Sequence, residues 1–166
     1  MTMWAFRQRH ALLRIFRPRW DAMVKELGRR GHGQRESGAF LLADRYGDPR
    51  VVTRVVFLDD LDPNCLQGGI HMEGLAYSKL WDICAHEKRV VAGDVHTHPG
   101  QGVCQSGTDT ANPMVAQPGH VALILPDFAT HPVEPGEVGV HRYDGAEWAR
   151  WFGHDAARQL RVSLFV

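Results

Sequence analysis

Apolar positions along this chain follow two different periods. Ala11 to Phe16 is a short apolar run of strand type. Pro18 then opens a segment in which Trp20, Met23, Val24 and Leu27 recur at i, i+3, i+4 and i+7, one face of an α-helix that Gly28 and Gly31 end. Ser37 to Ala43 and Val51 to Leu58 read as paired strands around the turn Tyr46-Gly47-Asp48-Pro49. After an acidic loop, Asp59 to Gly69, the stretch Ile70 to Glu87 aligns Met72, Ala76, Leu80, Ile83 and Cys84 in one stripe, which predicts a long helix. Val90 to His98 is a strand running into a glycine-containing loop. Val121 to Leu125 is apolar throughout, as a central strand would be. Glu137 to Tyr143 is a further strand, ended by Asp144-Gly145. The spacing of Trp148, Trp151 and Phe152 predicts a helix after it, and Val162 to Phe165 a closing strand. Strands and helices mixed in this way, with at least one hairpin, predict an α/β domain with a mixed sheet covered by helices.

The bulk numbers narrow the class. A chain of 166 residues suits a single domain spanning 1–166. Its 44% hydrophobic and 23% charged residues are those of a globular protein. No apolar run reaches the roughly 18 residues of a membrane span. Arg7, Arg9 and Arg14 interrupt every early apolar stretch, which excludes a secretory signal and leaves a cytoplasmic expectation. The net charge is zero, yet residues 1–35 hold nine Lys/Arg against two Asp/Glu, and the rest is acidic to the same degree. Solvated arginines on a first strand and helix account for this; a patch steering an acidic partner is the sharper alternative. A neutral total argues against nucleic acid as a partner. Cys65, Cys84 and Cys104 are odd in number and contain no Cys-x-x-Cys, so neither a disulfide framework nor a thiolate cluster is expected. Histidine, with ten copies, is the unusual residue.

Two of those histidines stand at ligand spacing. Side chains alternate along a strand, so His96 and His98 point to one face and can share a metal. Pro99 stops the strand, and Gly100 and Gly102 allow the chain to reverse. Ser106 and Asp109 are three apart, on one face of a helical turn, and folding that turn back supplies a third, carboxylate ligand. Two imidazoles and one carboxylate leave a fourth tetrahedral position open, the pattern of a catalytic zinc. Iron uses similar sets, but zinc suits hydrolysis because it acidifies the water it binds to a pKa of about 7. Alone, His-x-His describes any pair of satisfied strand histidines, and Ser-x-x-Asp a helix capping box. The combination at fixed spacing is what carries the chemistry.

The string His96-Thr97-His98, seven residues, Ser106, two residues, Asp109 resembles the complete JAMM signature, H-[ST]-H-x7-S-x-x-D. Glu36, followed by Ser37-Gly38-Ala39-Phe40-Leu41-Leu42, is similar to the glutamate strand of that family. The likeness runs over roughly residues 10–145. It implies an MPN/JAMM fold of the cytidine-deaminase-like kind, a curved mixed sheet flanked by helices. It implies one zinc ion on His96, His98 and Asp109, with Glu36 as the general base and Ser106 donating to the oxyanion. By resemblance the expected function is a zinc isopeptidase cleaving after the C-terminal glycine of a ubiquitin-like protein. Its partners would be that protein or its conjugates, with the activating and conjugating enzymes of a bacterial conjugation or antiviral defence system. Trimming of a sulfur-carrier protein is an alternative with the same chemistry, and a metal-free MPN scaffold an alternative of another class.

Other residues stay open at this level. Cys104 lies between the ligands as a loop thiol or a latch on the metal. Asp94 shares the parity of the histidines, as a partner for an imidazole or a solvated carboxylate. Thr97, of opposite parity, is expected behind the site. His71, His86, His120, His131, His141 and His154 show no ligand spacing and read as surface or core residues. Pro113 predicts a short helix after Asp109. Only ten residues separate Asp109 from His120, where family deubiquitinases carry a longer insertion, so the grip on a substrate would come from elsewhere, such as Asp59 to Gly69.

Overall fold

A computed structural model of the chain describes residues 10–166. Arg7 and Arg9, part of the basic N-terminal balance, lie outside them. The chain runs β1 (Leu13–Phe16), α1 (Arg17–Gly31), β2 (Gly38–Asp44), β3 (Val51–Phe57), α2 (Leu58–Leu61), α3 (Gly74–His86), β4 (Arg89–Thr97), α4 (Gly107–Ala111), β5 (Val121–Leu125), β6 (Gly139–Tyr143), β7 (Trp148–Trp151), α5 (Gly153–Gln159) and β8 (Leu160–Ser163). All eight strands join one mixed sheet in the order β7-β6-β5-β4-β2-β3-β1-β8. Parallel pairs (β1 with β3 and β8, β4 with β5) sit among antiparallel ones. Among the described residues no helix is long and apolar enough to cross a membrane.

Strand alternation divides the core. One face of the sheet carries Ala39, Leu41, Val95, Leu123, Leu125 and Val140. Against it packs the stripe expected on α1, with Trp20, Met23, Val24 and Leu27 all buried. Trp20 closes that layer by donating its indole N–H to the Val133 carbonyl at 2.8 Å. The other face carries Phe40, Leu42 and Val56, covered by Ala76, Leu80 and Cys84 of α3. Each fully buried aliphatic side chain contributes about 1.5–3 kcal/mol. This second face stops being apolar at Asp94, where the site begins.

The structure corrects the sequence reading at several points. Trp148 to Phe152 is not a helix: Trp148–Trp151 is strand β7, paired antiparallel with β6. Asp144-Gly145 makes a hairpin turn, in which the Asp144 carboxylate accepts the N–H groups of Ala146 and Glu147 at 2.9 and 2.8 Å. Trp148 thereby lies opposite Tyr143, ring centroids 5.1 Å apart, a cross-strand pair in place of a helical stripe. Helix α3 starts at Gly74, so Ile70 to Glu73 are irregular, and α5 follows β7 from Gly153. The acidic loop contains α2. The last strand begins at Leu160, earlier than expected, and lies parallel to β1. The N-terminal arginines are partly paired: Arg30 meets Asp59, Asp60 and Glu26 at 2.6, 2.7 and 2.8 Å, so part of the opposing charge is neutralised within the fold.

Candidate metal centre

The site grows from β4, which lies between antiparallel β2 and parallel β5. Asp94 and His96 share a face of this strand, and His98 continues the alternation one residue past its end. The backbone of His98 is held on both sides: its N–H donates to Leu125 and its carbonyl accepts from Phe128, both at 2.9 Å. The loop after Pro99 lies back over β6. There Gly139 is required, because a β-carbon on it would stand 2.0 Å from the Val103 carbonyl oxygen. The loop ends at Ser106, which caps α4. Its hydroxyl accepts the Asp109 N–H at 3.1 Å, and its own N–H donates to Asp109 Oδ2 at 2.8 Å. The capping box is real, and it is also what aims the carboxylate. α4 is five residues long, the short helix that Pro113 predicted.

These elements bring His96, His98 and Asp109 together as a group that could hold a metal ion. His96 Nε2 and His98 Nε2 are 3.1 Å apart, His98 Nε2 and Asp109 Oδ2 3.2 Å, and His96 Nε2 and Asp109 Oδ1 3.6 Å. Donors held at roughly 2.0–2.1 Å in a zinc tetrahedron stand about 3.3 Å from one another, so the spacing fits that ion. At most two ring protons are available for three close edges, whereas one cation bridges them all. The local field also favours positive charge. Burial would depress the His96 imidazole, but the Asp109 and Asp94 carboxylates outweigh it and lift it to about 9. Burial raises the Asp109 carboxyl, yet His96, His98 and Ser106 together hold it far below the usual carboxylate range.

Glu36 lies two residues before β2. Gly38 pairs with His96, and the Thr97 N–H donates to the Ser37 carbonyl at 2.9 Å. Glu36, half-buried, lies beyond the last pair of that ladder and is not one of the converging groups. Gly38 leaves room there, since a β-carbon would meet the His96 side chain at 3.4 Å and the Val95 carbonyl oxygen at 2.9 Å. Thr97 lies behind the site, fully buried, its hydroxyl accepting the Ser37 N–H at 3.0 Å. Cys104 is an exposed thiol on the ligand loop and is not one of the converging groups.

Asp94, left open by its strand parity, takes the role of an imidazole partner, whereas His120, His141 and Trp148 carried no sequence signal for this neighbourhood. Asp94, 3% exposed, pairs with His120, whose Nε2 lies 2.6 Å from its Oδ1. Its other oxygen is 3.7 Å from His96 Nδ1, the ring nitrogen opposite the metal-facing one. Burial raises the Asp94 carboxyl, but His120 and His96 bring it below its ordinary value. His141, fully buried, donates from Nε2 to the Val103 carbonyl at 3.1 Å and so anchors the ligand loop to β6; burial holds this imidazole down at about 4. Trp148 donates to the Thr110 carbonyl at 3.2 Å, fixing β7 over α4.

No family model matches the chain. Its fold is similar to a protein of Desulfitobacterium hafniense solved in solution, with a TM-score of 0.62 and 19% identity over 90% of this chain and 92% of that one. It is similar to a Salinibacter ruber protein, also solved in solution, with a TM-score of 0.53 and 18% identity over 82% and 87%. It is also similar to the crystal structure of a JAB1/MPN domain protein from Archaeoglobus fulgidus, with a TM-score of 0.50 and 16% identity over 90% and 96%. At these identities the likeness is one of fold. The chain has an MPN-like α/β architecture, and on it stands a His-His-Asp group compatible with zinc.

Proposed function

We propose that this protein is a zinc-dependent amide hydrolase of the JAMM type. Its substrate on this reading is a ubiquitin-like protein in the cytoplasm, cut after its C-terminal glycine at an isopeptide bond or a short extension. The observation that carries the reading is the convergence of His96 Nε2, His98 Nε2 and the Asp109 carboxylate, each edge within 3.1–3.6 Å, on an MPN-like fold. Zinc bound there supplies Lewis-acid polarisation of a carbonyl and a water acidified to a pKa of about 7. The chain supplies the remainder. Glu36, two residues before the strand that pairs with His96, takes the proton of the attacking water on its carboxylate and returns it to the departing amine. Ser106 Oγ accepts the Asp109 N–H, which leaves its own O–H free to donate to the carbonyl oxygen as charge develops. A tail of glycines carries no side chains and enters a narrow groove as an added strand.

The test is a pair of variants on purified protein. Glu36→Gln is expected to keep stoichiometric zinc and to lose cleavage of a ubiquitin-like–Gly-Gly–peptide fusion. His98→Ala is expected to lose the zinc as well. Full activity in Glu36→Gln would remove the assigned base. Wild-type protein that binds no zinc would favour the non-catalytic scaffold.

A further inference from the structure

Beside the ligand group lies a cavity of about 400 Å³ whose wall includes His96 and Asp109. It lies between α3, α4 and β7, and its apolar side is formed chiefly by Leu58, Ile70, Met72, Tyr77, Met114 and Trp148. A glycine tail needs no such space. A hollow of this size is at the lower end of those that enclose whole small ligands, and it opens directly onto the groups that would hold the metal. The two carboxylates in its wall are already engaged, Asp94 with His120 and Asp109 with the ligand histidines and Ser106. Neither is free to pair with a basic side chain, and both disfavour an acidic one. The wall also holds the polar side chains of His71, Thr108 and Asn112, and one of its buried polar atoms is unpaired. Gln105 Oε1 is buried and has no hydrogen-bond partner among the described residues, so a donor entering the hollow would satisfy it.

We propose that this hollow is a subsite for an apolar amino-acid residue flanking the scissile amide. It takes a side chain of leucine or methionine size against Met72, Met114 and Trp148, while Gln105 accepts the backbone N–H of the same residue. The inference rests on the hydrolase reading and deepens it: the substrate carries a bulky uncharged residue beside the cut, as a C-terminal extension does. Burial of such a side chain corresponds to roughly a 10- to 100-fold preference over glycine.

The experiment uses the zinc-loaded full chain and two peptide series, blocked Gly-Gly-Xaa-amide and blocked Gly-Xaa-Gly-amide, with Xaa as Gly, Leu, Met, Asp or Lys. In one series kcat/KM for Leu and Met is expected to exceed that for Gly by roughly 10- to 100-fold, with Asp below Gly. Met114→Trp, which fills the hollow, is expected to collapse the Leu/Gly ratio toward one. Cleavage with Gly equal to or better than Leu in both series would overturn the subsite while leaving the hydrolase standing. Should no peptide be cut, calorimetry separates the two ideas. The probes are N-acetylleucine hydroxamate, N-formyl-N-hydroxyleucine amide and their glycine counterparts. A leucine probe binding tenfold or more tightly than its glycine counterpart, with the gap lost in Met114→Trp, retains the subsite without the hydrolase. Equal affinities in both pairs overturn it.

Discussion

Replacing His120 by alanine isolates the buried group behind the candidate metal-binding residues. In the intact protein Asp94 and His120 are 2.6 Å apart with side chains 4% and 2% exposed. The His120 backbone bonds to Gln117 and Tyr143 do not involve the ring and survive the change. What remains is a buried carboxylate whose nearest cationic partner, His96 Nδ1, is 3.7 Å away. Removing one member of a buried pair costs about 3–5 kcal/mol, because the other charge stays desolvated and unmatched. Adding Asp94→Asn removes that charge, so the double variant is expected to recover part of the loss, leaving about 1–3 kcal/mol for the cavity and the lost hydrogen bond. Urea denaturation of metal-free protein at neutral pH measures both. A second readout follows from the contact with His96: Asp94→Asn is expected to weaken zinc binding 10- to 100-fold in chelator competition, the usual effect of losing a carboxylate behind a ligand imidazole. A cost below about 1 kcal/mol for His120→Ala, or strict additivity of the two substitutions, would falsify the claim that they act as a pair.

Two more expectations concern the ligand loop. Gly139→Ala drives a β-carbon into the Val103 carbonyl and the His141 ring, the latter at 2.9 Å. It is expected to cost about 1–3 kcal/mol and to weaken zinc binding through the displaced Asp109; unchanged values of both would show that β6 does not position the loop. His141 provides a pH test. Its folded pKa, about 4, lies below the ordinary value of 6.5, so between those values the unfolded chain binds more protons than the folded one. Its stabilising contribution is complete above pH 6.5 and is lost as pH falls toward 4, to a total of about 3 kcal/mol. In His141→Gln the stability slope between pH 5 and 7 is expected to flatten relative to wild type, and identical slopes would remove the assignment.

The convergence of His96, His98 and Asp109 was legible in the sequence because its geometry is local. His96 and His98 need only strand alternation, and Asp109 needs one turn of helix from Ser106. The stripe on α1 and the apolar β5 were equally plain, since each element buries one continuous face. Asp94 was legible by parity, but what it meets, and the places of His120 and His141, depend on pairing between strands distant in sequence. Asp94 stands beside Ala122 of β5, which in turn stands beside His141 of β6, and no spacing in the chain encodes that row. The β7 error has a different cause. Trp148 and Trp151 fit i, i+3, but the Asp144-Gly145 pair is a stronger local instruction for a hairpin. Given that turn, Trp148 faces Tyr143 and reaches α4, a position the helical reading hid.

Every ligand of the candidate centre has its backbone fixed by bonds that involve no ion. His96 lies inside a paired strand, His98 is tied to Leu125 and Phe128, and Asp109 is held by the cap at Ser106. A small zinc-dependent fold behaves otherwise, because there the metal is the nucleus of folding. If this chain takes up an ion, binding would be a bimolecular step and loss a unimolecular one, with the backbone of the site already in place. Occupancy, and with it any chemistry at the site, would then follow the free zinc concentration around the protein, reversibly and without denaturation.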